Sequence, residues 1–144
     1  RTHMNWPVVP WGLCKLLLYL QKTYAPRHGI IVTENGCAVE ENDLASAQHD
    51  AFRVEYFQSY IAQMHRAISQ GADIRGYFAW SLLDNFEWSH GYSKRFGMVY
   101  VDYVTQQRFP KASAKVMGQI AQTNKLNISD AVLAKSEFIP MSKL

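Results

Sequence analysis

Apolar residues recur at helical spacing over three parts of the chain. The pattern predicts one helix that opens at Pro10 and ends before Pro26, and a second from about Ala47 to Gln70 with Gly71 as its left-handed terminator. A last helix is predicted to start at 109–111, with proline in its first turn. The predicted buried stripe of the first helix consists of Leu13, Leu16, Leu17, Leu20 and Tyr24. That of the second consists of Val54, Phe57, Ile61, Met64 and Ile68.

Two apolar runs are short and rich in β-branched residues, which is typical of strands. Residues 30–33 lie between glycines and do not alternate with polar residues, so they are predicted to form a strand covered on both faces. A second apolar run, 74–83, is strand-like at its start. The stretch 97–103, GMVYVDY, alternates and predicts a hairpin or an extended excursion. Periodicity is lost after about Lys125, which predicts a surface tail.

The order of these elements is helix, strand, helix, strand, excursion, helix. Strands that alternate with long helices predict βαβ units and a parallel sheet. The α/β pattern leaves two architectures open, an open doubly wound sheet and an arc of a barrel. The 144 residues are 48% hydrophobic, which suffices for one ordinary core.

Composition and charge exclude several classes of function. The net charge of +3 is spread along the chain, and no glycine-rich phosphate cradle occurs, so nucleic acid is not an expected partner. The apolar stretch 16–20 is too short to span a bilayer, so we expect no membrane anchor. Cys14 and Cys37 lack the spacing of a zinc site or a disulfide framework and are predicted to be packed hydrophobes. We expect neither a cofactor nor a metal ion.

The two ends of the chain leave its context open. It opens at Arg1 without a signal peptide and enters a helix pattern at once, so we expect a piece of a longer protein. Residues 127–129, Asn-Ile-Ser, fit an N-glycosylation acceptor, whereas 142–144, Ser-Lys-Leu, fit a peroxisomal signal. The two motifs indicate different compartments, and a cytoplasmic location is the remaining alternative.

Ionisable and aromatic residues collect where the predicted strands end. Glu34 follows the first strand, in the stretch IIVTENG, where it serves a site, caps a turn or pairs with a neighbouring arginine. The second strand is followed by two indoles, two carboxylates and an amide: Trp80, Asp84, Asn85, Glu87 and Trp88. Carboxyl ends of parallel strands converge, and indoles beside carboxylates suit the C–H faces and hydroxyls of a sugar. The alternative is that the tryptophans are core residues, but a charge between two large aromatics is costly in a core.

Four stretches carry a more specific signal. TENG at 33–36, FAWSLLDNFEW at 78–88, GYSKRFGMVYVDY at 91–103 and RFPKASA at 108–114 resemble, in this order, the C-terminal third of family 1 glycoside hydrolases, the β-glucosidase family. The resemblance runs from about Trp6 to Asn124. It implies a (β/α)8 TIM barrel of which this chain supplies only the last two strands and their helices, plus the helix before them. Residues 1–124 are then the C-terminal part of a single catalytic domain, and 125–144 are a C-terminal tail.

The resemblance also assigns roles to individual residues. Glu34 is implied to be the catalytic nucleophile, which forms a covalent glycosyl-enzyme intermediate. Trp80 is implied to be a stacking platform, Glu87 a bidentate acceptor for the 4- and 6-hydroxyls, and Trp88 a contact near the 3-hydroxyl. Phe96 resembles an aromatic that lines the same subsite. A carboxylate at position 87 repels a 6-phosphate, so the implied substrate is a neutral β-glucoside, with β-galactosides or β-fucosides tolerated, despite nearby Lys94 and Arg95.

The chain departs from the family pattern in two respects that bear on activity: the acid/base motif is absent, and so are the residues of earlier strands that bind the 2- and 3-hydroxyls and orient the nucleophile. The family takes its general acid/base from an Asn-Glu-Pro motif, which does not occur in these 144 residues; the cluster at 40–42 lies in a polar loop. A nucleophile without a proton donor turns over little substrate. Either the remainder of the barrel, a missing N-terminal segment, supplies the acid/base, or the chain is an inactive fragment. Two alternatives stay open, a non-catalytic carbohydrate-binding relative and a piece that does not fold alone because its strand edges are unpaired.

Overall fold

The computed structural model describes residues 1–137, so the motif at 142–144 lies outside the described residues. The first half of the chain forms α1 (Pro10–Tyr24), β1 (Ile30–Gly36), α2 (Leu44–His49) and α3 (Ala51–Ser69). The second half forms β2 (Ile74–Trp80), a 3₁₀ turn (Trp88–His90), β3 (Val99–Val101), β4 (Arg108–Pro110), α4 (Ala112–Thr123) and α5 (Asp130–Ser136). None of the helices in this part of the chain combines the length and the apolar character that crossing a membrane demands.

The paired strands β1 and β2 form a two-stranded sheet. The N–H of Ile30, at the start of β1, donates to the carbonyl of Asp73, just before β2, at 2.7 Å. Gly36, at the end of β1, lies against the carbonyl of Trp80, at the end of β2. The two strands therefore begin next to each other and end next to each other. They run in the same direction, as the alternation of strands and helices predicts.

The chain divides into two compact units, of which one comprises residues 9–33, 58–77 and the chain from 126. The core of this unit is formed by Cys14, Leu17, Ala67 and Ala72, with partly buried Ile30, Val32, Met64 and Ile74 packed against it. The prediction that Cys14 is a packed hydrophobe is confirmed. The predicted stripe of α1 is wrong at Leu16, which is 51% exposed, and at Tyr24, which is 67% exposed. The buried face of the helix passes through Cys14 and Leu17, so those side chains point away from it.

The predicted tail after Lys125 contains a helix that the sequence pattern does not reveal. Ser129 caps α5 by accepting a hydrogen bond from the N–H of Val132, and Ser136 at its end is buried. The Ser136 hydroxyl accepts a hydrogen bond from Gln63 Nε2 at 3.1 Å. A helix of only 7 residues is too short to show periodicity, and its position depends on polar contacts with α3.

The other unit comprises residues 1–8, 34–57 and 78–125. Its buried apolar side chains include Cys37, Phe57, Phe96, Met98 and Val101. The predicted excursion at 97–103 is confirmed as half of a hairpin, since β3 pairs antiparallel with β4 and Tyr100 lies opposite Phe109. The last helix begins at Ala112 rather than at Phe109, because Phe109 and Pro110 belong to β4.

The predicted second helix is interrupted at Asp50, which separates α2 from α3. Asp50 adopts the left-handed conformation, with a φ of 46°. Its carboxylate is buried and accepts hydrogen bonds from Arg53 and from the Ser113 hydroxyl. Contacts with α4 and with the next helical turn therefore decide this break, whereas the local apolar pattern runs through it.

Candidate active site

The ends of β1 and β2 approach each other more closely than any residue but glycine allows. A Cβ added at Gly36 would lie 1.6 Å from the carbonyl oxygen of Trp80. Glu34 is two positions before Gly36 on the same strand, so the carboxylate-bearing end of β1 and the indole-bearing end of β2 are neighbours.

Replacing Gly36 by alanine is expected to separate the two strand ends. Backbone must shift to admit the methyl group, so we expect Gly36→Ala to lower the free energy of unfolding by about 3 kcal/mol. Gly118→Ala is the matched control, because nothing lies within 4 Å of its Cβ position in α4. Alanine is the better helix former, so this control is expected to gain up to about 1 kcal/mol. Urea unfolding measures the free energy of unfolding of both variants. Equal values for Gly36→Ala and Gly118→Ala would contradict the close approach of Gly36 to Trp80.

Glu34 is an exposed residue near the end of β1. Within residues 1–137, its carboxylate takes part in no ion pair and accepts no hydrogen bond, which argues against the alternative that it pairs with an arginine. The next residue is held in place, because Asn35 Nδ2 donates to the hydroxyl of Tyr56 at 3.2 Å. The strand thus presents a free carboxylate on a fixed backbone.

The connection after β2 presents the two indoles and the second carboxylate. Trp80 is 36% exposed and is joined to Ser81 by a cis peptide bond. Glu87 is half-buried and opens a tight turn, since its N–H donates to the carbonyl of Gly91 at 2.7 Å. Trp88, in this turn, is 80% exposed. Within the described residues, both indoles are therefore open to solvent and lie outside the packed core.

Phe96 differs from the other predicted site residues because its side chain is buried. It is 3% exposed, and its ring lies 6.0 Å from the ring of Trp6. The backbone brings it to the end of β2, where its carbonyl accepts a hydrogen bond from the N–H of Ser81 at 3.1 Å. Phe96 therefore lies behind the Trp80–Ser81 segment rather than on the exposed surface.

Asp84, grouped by sequence with the candidate site, proves to be a buried structural residue. Its carboxylate accepts hydrogen bonds from Arg95 Nη1 at 2.6 Å, from the N–H of Gly97 at 2.9 Å and from Lys111 Nζ at 3.2 Å. With these partners it fixes the hairpin against the connection after β2. It is not available to a sugar hydroxyl.

Glu41, predicted to lie in a polar loop, is buried as well. Both of its oxygens accept hydrogen bonds from Lys111 Nζ, at 2.6 and 2.8 Å, and Oε1 also accepts one from Arg53 Nη2 at 3.0 Å. Burial raises the pKa of Glu41 and lowers the pKa of Lys111, because each charged form loses water. The attraction between the Glu41 carboxylate and the Lys111 ammonium group offsets this desolvation cost for both residues.

These groups form one charge-balanced cluster, which we call the buried ionic cluster. It consists of Glu41, Asp50, Arg53, Asp84, Arg95 and Lys111. Periodicity does not reveal it, because its members lie singly in different segments. The only sequence signal is a charge beside apolar residues, such as Asp84 after two leucines.

Lys94 and Arg95, the two cations that follow the indole-bearing turn, have protein partners. Lys94 Nζ donates to the carbonyl of His3 at 3.1 Å. Arg95 pairs with Asp84, and its guanidinium lies 4.1 Å from the ring centre of Tyr100. Over residues 1–137, no group of three or more His, Cys, Asp or Glu side chains is arranged to hold a metal ion.

The free carboxylate of β1 and the two indoles and carboxylate at and after the end of β2 offer the apolar faces and hydrogen-bond acceptors that suit a sugar. The family model described as Glycosyl hydrolase family 1 matches residues 1–126. The chain therefore belongs to glycosyl hydrolase family 1, as the four motifs imply.

Its relatives include enzymes named for two different activities. Beta-glucosidase 4 of Oryza sativa subsp. japonica is 54% identical over 120 residues, which cover 80% of this chain and 25% of that protein. A 6-phospho-beta-galactosidase of Staphylococcus aureus (strain JH9) is 39% identical over 128 residues, which cover 88% of this chain and 27% of that protein. The chain thus spans about a quarter of the length of the curated relatives it matches.

Solved structures support the same relationship. The beta-glucosidase from Thermotoga maritima in complex with noeuromycin matches with a TM-score of 0.83 and 42% sequence identity, over 88% of this chain and 29% of that chain. These neighbours are family 1 TIM barrels. The structure described here therefore corresponds to part of such a barrel.

Proposed function

We propose that the complete protein is a retaining β-glucosidase and that this chain carries its nucleophile, Glu34. The carboxylate attacks the anomeric carbon, the bond to the aglycone oxygen breaks, and a glycosyl ester of Glu34 forms. A proton from a general acid goes to the departing oxygen, and water then hydrolyses the ester. The observation that carries the proposal is the exposed, unpaired carboxylate of Glu34, two positions before Gly36, where the backbone of β1 lies against that of Trp80.

In this proposal the chain supplies the last two strands of a (β/α)8 barrel, with residues 1–124 in the catalytic domain. The length of the relatives supports it, and so does the sheet face that the described residues leave bare. Ile31 in β1 is 52% exposed and Phe78 in β2 is 60% exposed. The missing N-terminal segment would cover these side chains and pair with the free strand edges. It would also supply the acid/base of the absent Asn-Glu-Pro motif.

The proposed substrate is a neutral β-D-glucoside. Trp80 and Trp88 offer indole faces, and Glu87 would accept hydrogen bonds from two sugar hydroxyls. The relative that acts on 6-phosphorylated galactosides raises the alternative of a phosphorylated substrate. Two features argue against it: the Glu87 carboxylate repels a phosphate, and Lys94 and Arg95 already have partners. Phe96 would support the subsite from behind Trp80.

Covalent trapping tests the proposal. A 2-deoxy-2-fluoro-β-glucoside with a good leaving group is expected to add one sugar to the full-length protein, on the peptide that contains Glu34. Tandem mass spectrometry of the digest locates the ester. Label on a different carboxylate would contradict the assignment of Glu34.

The second candidate function is sugar binding without catalysis, either in a non-catalytic relative or in an inactive fragment. The accessible indoles Trp80 and Trp88 favour binding of a sugar in either case. This candidate predicts that glucose or a glucose-like amine binds the full-length protein while aryl glucosides are neither cleaved nor trapped. The trapping experiment therefore separates the two candidates.

A further inference from the structure

One buried lysine joins the two connections that follow the strands of the candidate site. Lys111 Nζ lies 2.6 Å from Glu41 Oε1, on the connection after β1, and 3.2 Å from Asp84 Oδ1, on the connection after β2. All three side chains are almost completely shielded from solvent. We call this three-residue contact the Lys111 bridge.

The two carboxylates of the Lys111 bridge lie on the backbone segments that follow β1 and β2, and each segment makes further close contacts. On one side, a Cβ at Gly97 would lie 2.1 Å from the Asp84 nitrogen, so Asp84 and the hairpin cannot slide past each other. On the other side, Glu41 belongs to the connection after β1, and Val39 in that connection is also tied directly to the hairpin arm, since its N–H donates to the carbonyl of Arg95 at 3.1 Å. Lys111 therefore contacts both connections, of which one leads back to Glu34 and the other leads on to Glu87.

Stability alone is a weak reason to bury these charges. Well-packed apolar side chains of similar volume often replace a buried ion pair without loss of stability. A second role for a buried ion pair with short, directed hydrogen bonds is to select one arrangement of the backbone among several that would pack equally well. The described contacts are of this kind, since Lys111 reaches both oxygens of Glu41 and one oxygen of Asp84.

We propose that Lys111 is a positioning residue for the glycosidase reaction: by bridging Glu41 and Asp84, it fixes the connection that carries Glu87 relative to the strand end that carries Glu34. This inference rests on the proposed function of the site. A sugar held by Glu87 and the indoles then meets the Glu34 carboxylate at the reacting distance. Lys111 itself does not touch the sugar.

The expected effect is on the rate constant rather than on sugar affinity. Without the bridge, Asp84 still accepts hydrogen bonds from Gly97 and Arg95, so the connection that carries Glu87 keeps its own shape. Ground-state binding is therefore retained, while alignment with Glu34 is lost. A misplacement of about 1 Å costs roughly 100-fold in rate.

The test uses a charge-balanced double variant of the full-length protein, Glu41→Gln with Lys111→Met. Removing both charges avoids the unpaired buried carboxylate that Lys111→Met alone would leave. Ser113→Ala is the matched control, because it removes a buried hydrogen bond of the same cluster, from the Ser113 hydroxyl to Asp50, without changing a charge or a contact with the connection after β2. The concentration of active sites is measured from the burst of phenol released by an aryl 2-fluoro glucoside. The rate is then divided by this concentration, so that unfolded protein does not lower the measured kcat.

For the double variant, kcat per titrated site is expected to fall roughly 100-fold while KM stays within about threefold. The control is expected to keep kcat per site within about twofold, even if it melts at a lower temperature. A double variant with wild-type kcat per site would overturn the proposal. A control that loses as much kcat per site would overturn it as well, because the effect would then belong to the cluster in general.

Amide hydrogen exchange gives a readout that does not depend on turnover. In the double variant, exchange is expected to accelerate in both 37–42 and 81–97, whereas the control leaves 81–97 unchanged. Unchanged exchange in both segments would overturn the bridge even if the protein proved not to be a glycosidase. Failure to trap any sugar on wild-type protein would instead contradict the proposed function, so the two failures are distinguishable.

Discussion

Glu34→Ala in the full-length protein is expected to lower kcat on an aryl β-glucoside by roughly 10⁵-fold, about 7 kcal/mol of transition-state stabilisation. The loss is this large because the proposal makes the Glu34 carboxylate the group that forms the bond to the anomeric carbon, and alanine offers no nucleophile in its place. KM is expected to change little, since the indoles and Glu87 still bind the sugar. Steady-state kinetics at saturating substrate measures the effect.

Azide rescue makes the Glu34 prediction specific for a nucleophile. In Glu34→Ala, azide fits the vacated space, forms the bond to the anomeric carbon as the aglycone departs, and yields an α-glucosyl azide. Glu40→Gln is the matched control, because Glu40 is an exposed carboxylate shortly after β1 and is expected to retain wild-type kcat. A β-configured azide product, or no rescue of a folded variant, would argue that Glu34 is not the nucleophile.

Glu87→Ala is expected to lower kcat/KM on a β-glucoside by roughly 10³-fold. Two hydrogen bonds from sugar hydroxyls to a carboxylate contribute about 1.5–3 kcal/mol each, so their loss lies near 4 kcal/mol. The half-buried position of Glu87, in the turn closed by Gly91, gives such bonds more weight than they have at a fully exposed site. Initial rates at low substrate concentration measure kcat/KM directly.

A β-xyloside provides the internal control for Glu87, because it lacks the hydroxymethyl group. Wild-type protein is expected to prefer the glucoside clearly, and Glu87→Ala is expected to lose most of that preference, since both sugars then lack the same partner. If the variant kept the wild-type preference, Glu87 would not be the acceptor for the 6-hydroxyl. The folded state of the variant is checked by its melting temperature.

The sequence predicts the strands and their ends better than it predicts which helix faces are buried. Residues 30–33 and the run from Ile74 form strands as predicted, but the predicted cover on both faces is not found within the described residues, where Ile31 is 52% exposed. Leu16 and Tyr24 on α1 are exposed although the helical spacing is right. Spacing defines a stripe, but only the neighbouring elements decide which stripe is covered.

The candidate site shows the same division. The sequence identifies Glu34, Trp80, Glu87 and Trp88, because each belongs to a short motif that can be recognised from neighbouring residues alone. It does not separate Asp84 from them, because Asp84 differs only in its partners. Phe96 belongs to the same motifs, yet its ring is turned towards Trp6 and away from solvent.

By itself, the sequence determined the alternation of strands and helices, the family, and the placement of Glu34 where a strand ends. Periodicity and short motifs carry this information because they act over a few neighbouring residues. Only the tertiary structure decided that Glu41 and Asp84 are buried, that α2 and α3 part at Asp50, and that Lys111 joins the connections after β1 and β2. These features depend on partners far apart along the chain, such as Lys111 and Glu41, 70 positions apart. A charged side chain is buried at acceptable cost only where the fold places an oppositely charged or hydrogen-bonding partner beside it. The local sequence pattern contains no information about that distant partner.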